Sequence, residues 1–225
     1  MKNIKNLIEQ TPNDNCVLNV TRQIGTTTAL CQYAIDMVMK GKSVVYHTNN
    51  NTAQKDVYQK LVNIAQEKSY EFDFPDEGSR TLCIVNNNSD AEIKIVYGDC
   101  KSSLVGLKFI YIVDNADFFD DWQMYLGMTT IECTKVIIAS CPSRFTGHWS
   151  LFKKLCVKDQ PMWKVFNLKH EYDDKFRQSM SSESYDMECN NYESFFDTAK
   201  KIYENIGDLL FIENNPFYKR IDIDK

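Results

Sequence analysis

Residues 16–30 read Cys16-Val17-Leu18-Asn19-Val20-Thr21-Arg22-Gln23-Ile24-Gly25-Thr26-Thr27-Thr28-Ala29-Leu30. Cys16 to Val20 is a short apolar run of strand length. A polar turn containing Gly25 follows. From Thr27 to Met39 the apolar residues Leu30, Ala34, Ile35 and Val38 recur at helical spacing. A strand, a glycine turn and a helix start in succession bring several backbone N–H groups without helical partners to one point. The helix dipole adds partial positive charge there, so the junction is an anion site.

In the phosphate-binding pattern G-x-x-x-x-G-K-[ST], the lysine reaches the β- and γ-phosphates and the hydroxyl holds Mg²⁺. Gly25 and Thr27 stand in register with that pattern, whereas Val20 replaces the first glycine and Thr26 the lysine. The phosphate-contacting candidates are therefore Arg22, Gln23, Gly25, Thr26, Thr27 and Thr28, and Thr27 is also a candidate metal ligand. Arg22 precedes the glycine turn and approaches a phosphate from a different side than the lysine does. The same turn can be a plain helix cap, since threonines cap well.

At the scale of the whole chain, 225 residues suffice for one substantial core or a core with a small appendage. The balance of apolar and charged residues is that of a soluble globular domain. No apolar run reaches the length of a membrane span, and Met1 to Lys5 lacks a signal-peptide core. The eight cysteines are scattered singly with no C-x-x-C pair, which argues for free, mostly buried thiols in a reducing cytosol. A net charge of −5 argues against a general nucleic-acid binder. Lys153, Lys154, Lys158, Lys164 and Lys169 form a local basic cluster that also reads as a solvated face.

Strand-like and helix-like segments alternate from residue 16 to about residue 168. Lys42 to Thr48 reads as a second strand and Asn51 to Lys68 as a helix with Val57, Leu61 and Ile64 on one face, with cap chemistry in Asn49 to Thr52. Glu71 to Gly78 reads as a polar loop. Arg80 to Val85 and Ala91 to Tyr97 read as a hairpin. Lys108 to Asp114 and Lys135 to Cys141 are continuous apolar strands of the kind buried on both faces. Further helices are expected at Asp121 to Met128 and Trp149 to Cys156, and a strand at Trp163 to Leu168. The implied fold is α/β, a mostly parallel, doubly wound sheet with helices on both faces. A boundary falls near residue 170. Residues 1–170 form the α/β domain, and 171–225, containing an amphipathic stretch from Tyr192 to Ile206, form a helical extension packed on or beside it.

In open α/β sheets ligands sit beyond the carboxyl ends of strands. Three such ends carry chemistry: the Arg22–Thr28 loop, Asp114 after Phe109-Ile110-Tyr111-Ile112-Val113, and Ser140 after Val136-Ile137-Ile138-Ala139. Asp114 is the catalytic or metal-binding candidate and Ser140 the candidate γ-phosphate sensor. Each also has a bland reading as an ordinary strand end running into a turn. A Cys141–His148 nucleophile pair would need the two side chains to meet. His47 and His170 carry no signal alone.

In order and spacing these elements resemble the ATPase module of the large terminase subunit, the viral DNA-packaging motor. Its loop pattern, Ser/Thr-Arg-Gln-apolar-Gly-Lys-Thr-Thr, is matched by Thr21-Arg22-Gln23-Ile24-Gly25-Thr26-Thr27-Thr28 except at the lysine. Its Walker B strand, Ile-Tyr-apolar-acid-acid followed by Ala, is similar to Ile110-Tyr111-Ile112-Val113-Asp114-Asn115-Ala116 with one acid lost. Ile137 to Pro142 and His148 to Phe152 resemble the coupling strand and the aromatic helix after it. Ser103-Leu104-Val105-Gly106 resembles the segment before Walker B, with Val105 in an arginine's place, and Tyr185 to Cys189 the end of the module. Anchoring on Ala116 puts Val113 at the Mg²⁺-associated acid and Asp114 at the catalytic acid, which is the preferred register. The other register makes Asp114 the Mg²⁺ acid and puts Asn115 in place of the catalytic base.

The resemblance spans residues 14 to 190, and the family's nuclease domain has no room here. It implies a P-loop NTPase-like fold, ATP and Mg²⁺ as weakened or lost cofactors, and viral packaging proteins, DNA or further copies of the chain as partners. It places the protein in the host cytoplasm, away from membranes. Lysine and Mg²⁺ neutralise phosphate charge in the transition state, and losing such contacts costs orders of magnitude in rate. The expectation is a degenerate phage ATPase, a pseudoenzyme with a structural or regulatory role in packaging. The alternatives are an active packaging ATPase completed in trans by another subunit, and a nucleic-acid or protein-binding module built on the lysine-bearing segment.

Overall fold

A computed structural model describes residues 4–20, 24–74, 81–98, 108–119, 132–141, 152, 155–156 and 163–168. Its elements are α1 (Ile4–Glu9), β1 (Asn15–Val20), α2 (Thr26–Met39), β2 (Val44–Thr48), α3 (Asn51–Glu67), β3 (Phe72–Asp73), β4 (Thr81–Asn86), β5 (Glu92–Tyr97), β6 (Lys108–Asp114), a 3₁₀ turn (Ala116–Phe118), β7 (Glu132–Ser140) and β8 (Trp163–Leu168). The eight strands form one sheet in the order β3-β4-β5-β2-β6-β7-β1-β8. The block from β5 to β8 is parallel throughout, and β4 and β3 are added antiparallel at one edge.

Side chains alternate across this sheet, and the two faces bury different sets. Cys16, Leu18, Val20, Val44, Tyr46, Ile93, Ile95, Ile110, Ile112, Ile137 and Ala139 face α1, α2 and α3. Val17, Val45, Phe109, Tyr111, Val113, Val136 and Ile138 face Phe119, Phe152, Leu155 and Cys156. The last three of these are helical, so the described residues place helical chain on both sides of the sheet. Leu18, Ile35, Ile95 and Ile112 are fully excluded from solvent, and burial of each contributes roughly 1.5–3 kcal/mol.

Local chemistry sets the helix ends. Asn50 is the N-cap of α3, its side-chain oxygen accepting from the Ala53 N–H at 2.9 Å. At the end of α2, Gly41 takes a positive φ of 74°, and the Lys42 N–H returns to the Met37 carbonyl at 3.0 Å. Gln54 on α3 is buried and donates to the Ile95 carbonyl of β5 at 2.7 Å, fixing the helix over the sheet.

Three expectations change. Glu71 to Gly78 is not all loop, because Phe72 is buried and Phe72–Asp73 pairs with β4 as a two-residue edge strand. The strand expected from Lys135 begins at Glu132. α1 has no sequence counterpart in the periodicity. It is held by Ile4 and Ile8 in the core and by the buried Lys135 ammonium, which donates to the carbonyls of Ile8 and Thr11. The expected helix at 121–128 and the extension at 171–225 lie outside the described residues.

Among the described residues the thiols are free, and no helix is long and apolar enough to cross a membrane.

Candidate functional site

The site is assembled by strand order. β1 runs into α2, β6 ends at Asp114, and β7 lies between those two strands. Asp114 shares the alternation of Ile110 and Ile112 and so faces α2. Thr27, in the first turn of α2, donates its hydroxyl to Asp114 Oδ2 at 2.8 Å. Tyr46 on β2 donates to the same oxygen at 2.9 Å, and the Asn115 N–H donates to Oδ1 at 3.0 Å. The carboxyl group is buried, with the residue 4% exposed. Desolvation raises its pKa above the usual carboxylate value, opposed by the Thr27, Tyr46 and Asn115 hydrogen bonds. Among the described residues the groups shifting it are those three donors, with no lysine or arginine.

Gly25 is the N-cap of α2 at φ 78°, ψ 22°, a left-handed conformation that L side chains rarely adopt. It has no side chain to cap with, and no side-chain cap is seen among the described residues. The plain threonine cap is therefore not what terminates this helix. Thr26, at the lysine position, and Thr27 are partly buried, and Thr28 is exposed. Arg22 and Gln23 lie outside the described residues.

Val113, assigned to the Mg²⁺-acid position by the preferred register, is fully buried in the opposite core with Val17, Val45 and Ile138. It cannot face Thr27 while Asp114 does, because adjacent strand residues point to opposite faces. Asp114, followed by Asn115, is thus the strand-end residue that faces Thr27. Asn115 sits at φ 59°, a conformation asparagine tolerates.

Ser140 belongs to the Val136–Ile138 face, away from the Thr27–Asp114 pair. Its hydroxyl oxygen accepts from the Asp117 N–H at 3.1 Å, which ties the 3₁₀ turn to β7. His47 is also on that face. Its Nε2 lies 2.9 Å from the Gly98 carbonyl, which can only accept, so Nε2 carries a proton, and its Nδ1 lies 2.5 Å from the Tyr111 hydroxyl. Of the basic cluster only Lys164 is described, and it is exposed. His148 lies outside the described residues, so the Cys141–His148 pair does too.

Tyr46 is the site residue that sequence reasoning missed. It sits inside an apolar run, and the signal is its register. Tyr46 pairs with Ile112, two residues before Asp114 on the same face.

No group of three or more His, Cys, Asp or Glu side chains able to hold a metal occurs among the described residues. Mg²⁺ needs no such cage. It keeps several waters and is bound through one or two carboxylates together with substrate phosphates. A threonine hydroxyl beside a buried carboxylate is a donor set of that kind.

No protein-family model matches the chain, and no curated protein matches its sequence. Solved structures do. The Thermus phage P74-26 large terminase ATPase domain matches with a TM-score of 0.58 at 14% identity, over 84% of this chain and 87% of that one. The HK97 bacteriophage large terminase matches with a TM-score of 0.54 at 12% identity, over 84% of this chain and 43% of that one. The large terminase of a thermophilic bacteriophage gives 0.50 at 11% identity, over 80% and 48%. The sheet is thus that of a mostly parallel α/β domain. More narrowly, the chain has the fold of the large terminase ATPase domain.

Proposed function

We propose that this protein is a degenerate terminase-like ATPase domain that binds a nucleotide with Mg²⁺ and does not hydrolyse it, serving a structural or regulatory role in viral DNA packaging. The observation that carries this reading is the Thr27–Asp114 hydrogen bond. It keeps the hydroxyl–acid pair that a Mg²⁺–phosphate complex uses, under a helix start that presents backbone N–H groups. Thr27 and Asp114 are the residues that would hold the cation. Mg²⁺, when bound, supplies charge neutralisation to the phosphates. Thr26 stands where the lysine would add a second positive charge, and Asn115 where a carboxylate would activate water. An amide is not a base, so ground-state binding survives while transition-state stabilisation is lost.

The resemblance to terminase motors makes DNA, other packaging proteins or further copies of this chain the partners of this domain. Residues 171–225 are read as a helical extension beside it.

Calorimetric titration of the purified chain with ATP and MgCl₂, alongside phosphate-release assays with and without DNA, tests the reading. Metal-dependent binding without turnover is expected. Turnover at motor-like rates, alone or with the virus's other packaging proteins, would overturn it.

A further inference from the structure

The reading of Thr27–Asp114 as a cation–nucleotide site leaves Tyr46 without a role. Its ring is fully buried on β2, and its hydroxyl donates to Asp114 Oδ2 at 2.9 Å. The Cys31 thiol, one helical turn after Thr27 on α2, is buried beside that same hydroxyl. Tyr46 and Asp114 are thus joined out of contact with solvent, beside the direct bond from Thr27.

A carboxylate oxygen has two acceptor sites. On Oδ2 both are taken, one by Thr27 and one by Tyr46. On Oδ1 one is taken by the Asn115 N–H. Among the described residues Asp114 therefore has a single acceptor site left, and bidentate chelation is closed to it while Thr27 and Tyr46 both donate to Oδ2. The Tyr46 ring is fully buried, which holds its hydroxyl on that oxygen.

We propose that Tyr46 is a positioning residue that closes Asp114 to bidentate chelation and thereby makes the site selective for Mg²⁺ over Ca²⁺. Mg²⁺ keeps its waters, and one free acceptor site on Oδ1 is enough to receive a hydrogen bond from one of them. Ca²⁺ seeks six to eight oxygens and takes carboxylates directly, often bidentate. A carboxylate pinned by Tyr46 serves the first ion and not the second. The inference rests on the functional reading above.

The test compares ATP affinity of the full chain in MgCl₂, CaCl₂ and EDTA, for the wild type and Tyr46→Phe. Affinity in EDTA depends on the helix start and reports an intact fold, so it stays the same. The Mg²⁺-over-Ca²⁺ affinity ratio falls about three- to tenfold in Tyr46→Phe, the equivalent of one hydrogen bond. Cys31→Ala, which removes the thiol packed beside the Tyr46 hydroxyl without touching Asp114, lowers the ratio by a smaller factor and serves as the second variant should Tyr46→Phe fail to fold. Metal-dependent ATP binding in the wild type with an unchanged ion ratio in the variants overturns this inference and leaves the functional reading standing. ATP binding by the wild type that ignores the metal overturns both.

Discussion

Thr27 and Asp114 are 87 residues apart in the chain and 2.8 Å apart in space, joined by a hydroxyl-to-carboxylate hydrogen bond. The bond ties the first turn of α2 to the carboxyl end of β6, two elements whose strands are separated by β7. One contact therefore holds the helix start over the only part of the sheet edge where a buried acid points toward it among the described residues.

Thr27→Val keeps the β-branched shape and removes the donor. Asp114 then has two donors in place of three, and stability falls by about 1 kcal/mol. The metal-dependent part of ATP affinity disappears, whereas Thr27→Ser retains it. Urea unfolding and calorimetry in MgCl₂ and EDTA measure the two effects separately. Equal metal dependence in Thr27→Val and wild type would remove the hydroxyl from the site.

Thr26→Lys places a cation at the helix start, where the dipole already favours an anion. ATP affinity rises, and sulfate or phosphate competes for the same site. Hydrolysis stays absent because Asn115 still follows the acid. Unchanged affinity in a folded variant would mean that the Gly25 turn does not cradle phosphate.

The two ways of aligning the acid strand separate by stability. Val113→Asp puts a carboxylate among Val17, Val45 and Ile138, beside a His47 whose two ring nitrogens are already engaged by Tyr111 and Gly98, and destabilises by roughly 3 kcal/mol or more. Asn115→Asp occupies a left-handed position that aspartate also tolerates, and lowers the urea midpoint little. Similar losses in both variants would show that the sheet alternation does not decide the register.

The same alternation explains what the sequence concealed. β1, β2, β6 and β7 are legible as apolar runs because each is buried on both faces. For that reason they carry no polar–apolar pattern from which to tell which way Asp114 or Val113 points. α3 is legible through its one-sided apolar spacing and its Asn50 cap. α1 is not, since six residues with Ile4 and Ile8 inward are held by tertiary contacts with little help from helix propensity. The placement of β7 between β6 and β1 is a long-range fact. It turns Ser140 toward Asp117, while the equally long-range pairing of β2 with β6 brings Tyr46 to Asp114, and no local window contains either relationship.

Alkaline pH should unfold this protein through its buried thiols. Burial pushes the Cys31 thiol up to about 12 from 9.0, with the Asp114 charge adding to the shift. Between those values the unfolded chain has lost the proton that the native state keeps. Stability present below pH 9 is therefore lost as pH rises, at up to about 1.4 kcal/mol per pH unit for one proton. Cys31→Ala makes the decline shallower over that window in urea titrations at successive pH values. An identical slope would assign the alkaline loss to other groups, among them Cys133, which burial also pushes up to about 12.

Lys135 contributes with the opposite sign. Its ammonium is buried under α1 and donates to the carbonyls of Ile8 and Thr11. Desolvation lowers its pKa below 10.5, opposed by the neighbouring Cys16. Above the lowered folded value and up to 10.5 the unfolded chain binds more protons than the native one. This group's contribution to stability therefore rises with pH across that window, partly offsetting the loss from Cys31. Lys135→Met removes the offset and leaves the two carbonyls without their shared donor. It should destabilise by about 1–3 kcal/mol at neutral pH and steepen the alkaline decline, with faster hydrogen exchange concentrated in α1. A variant as stable as the wild type, with α1 amides equally protected, would show that Ile4 and Ile8 hold the helix without the lysine.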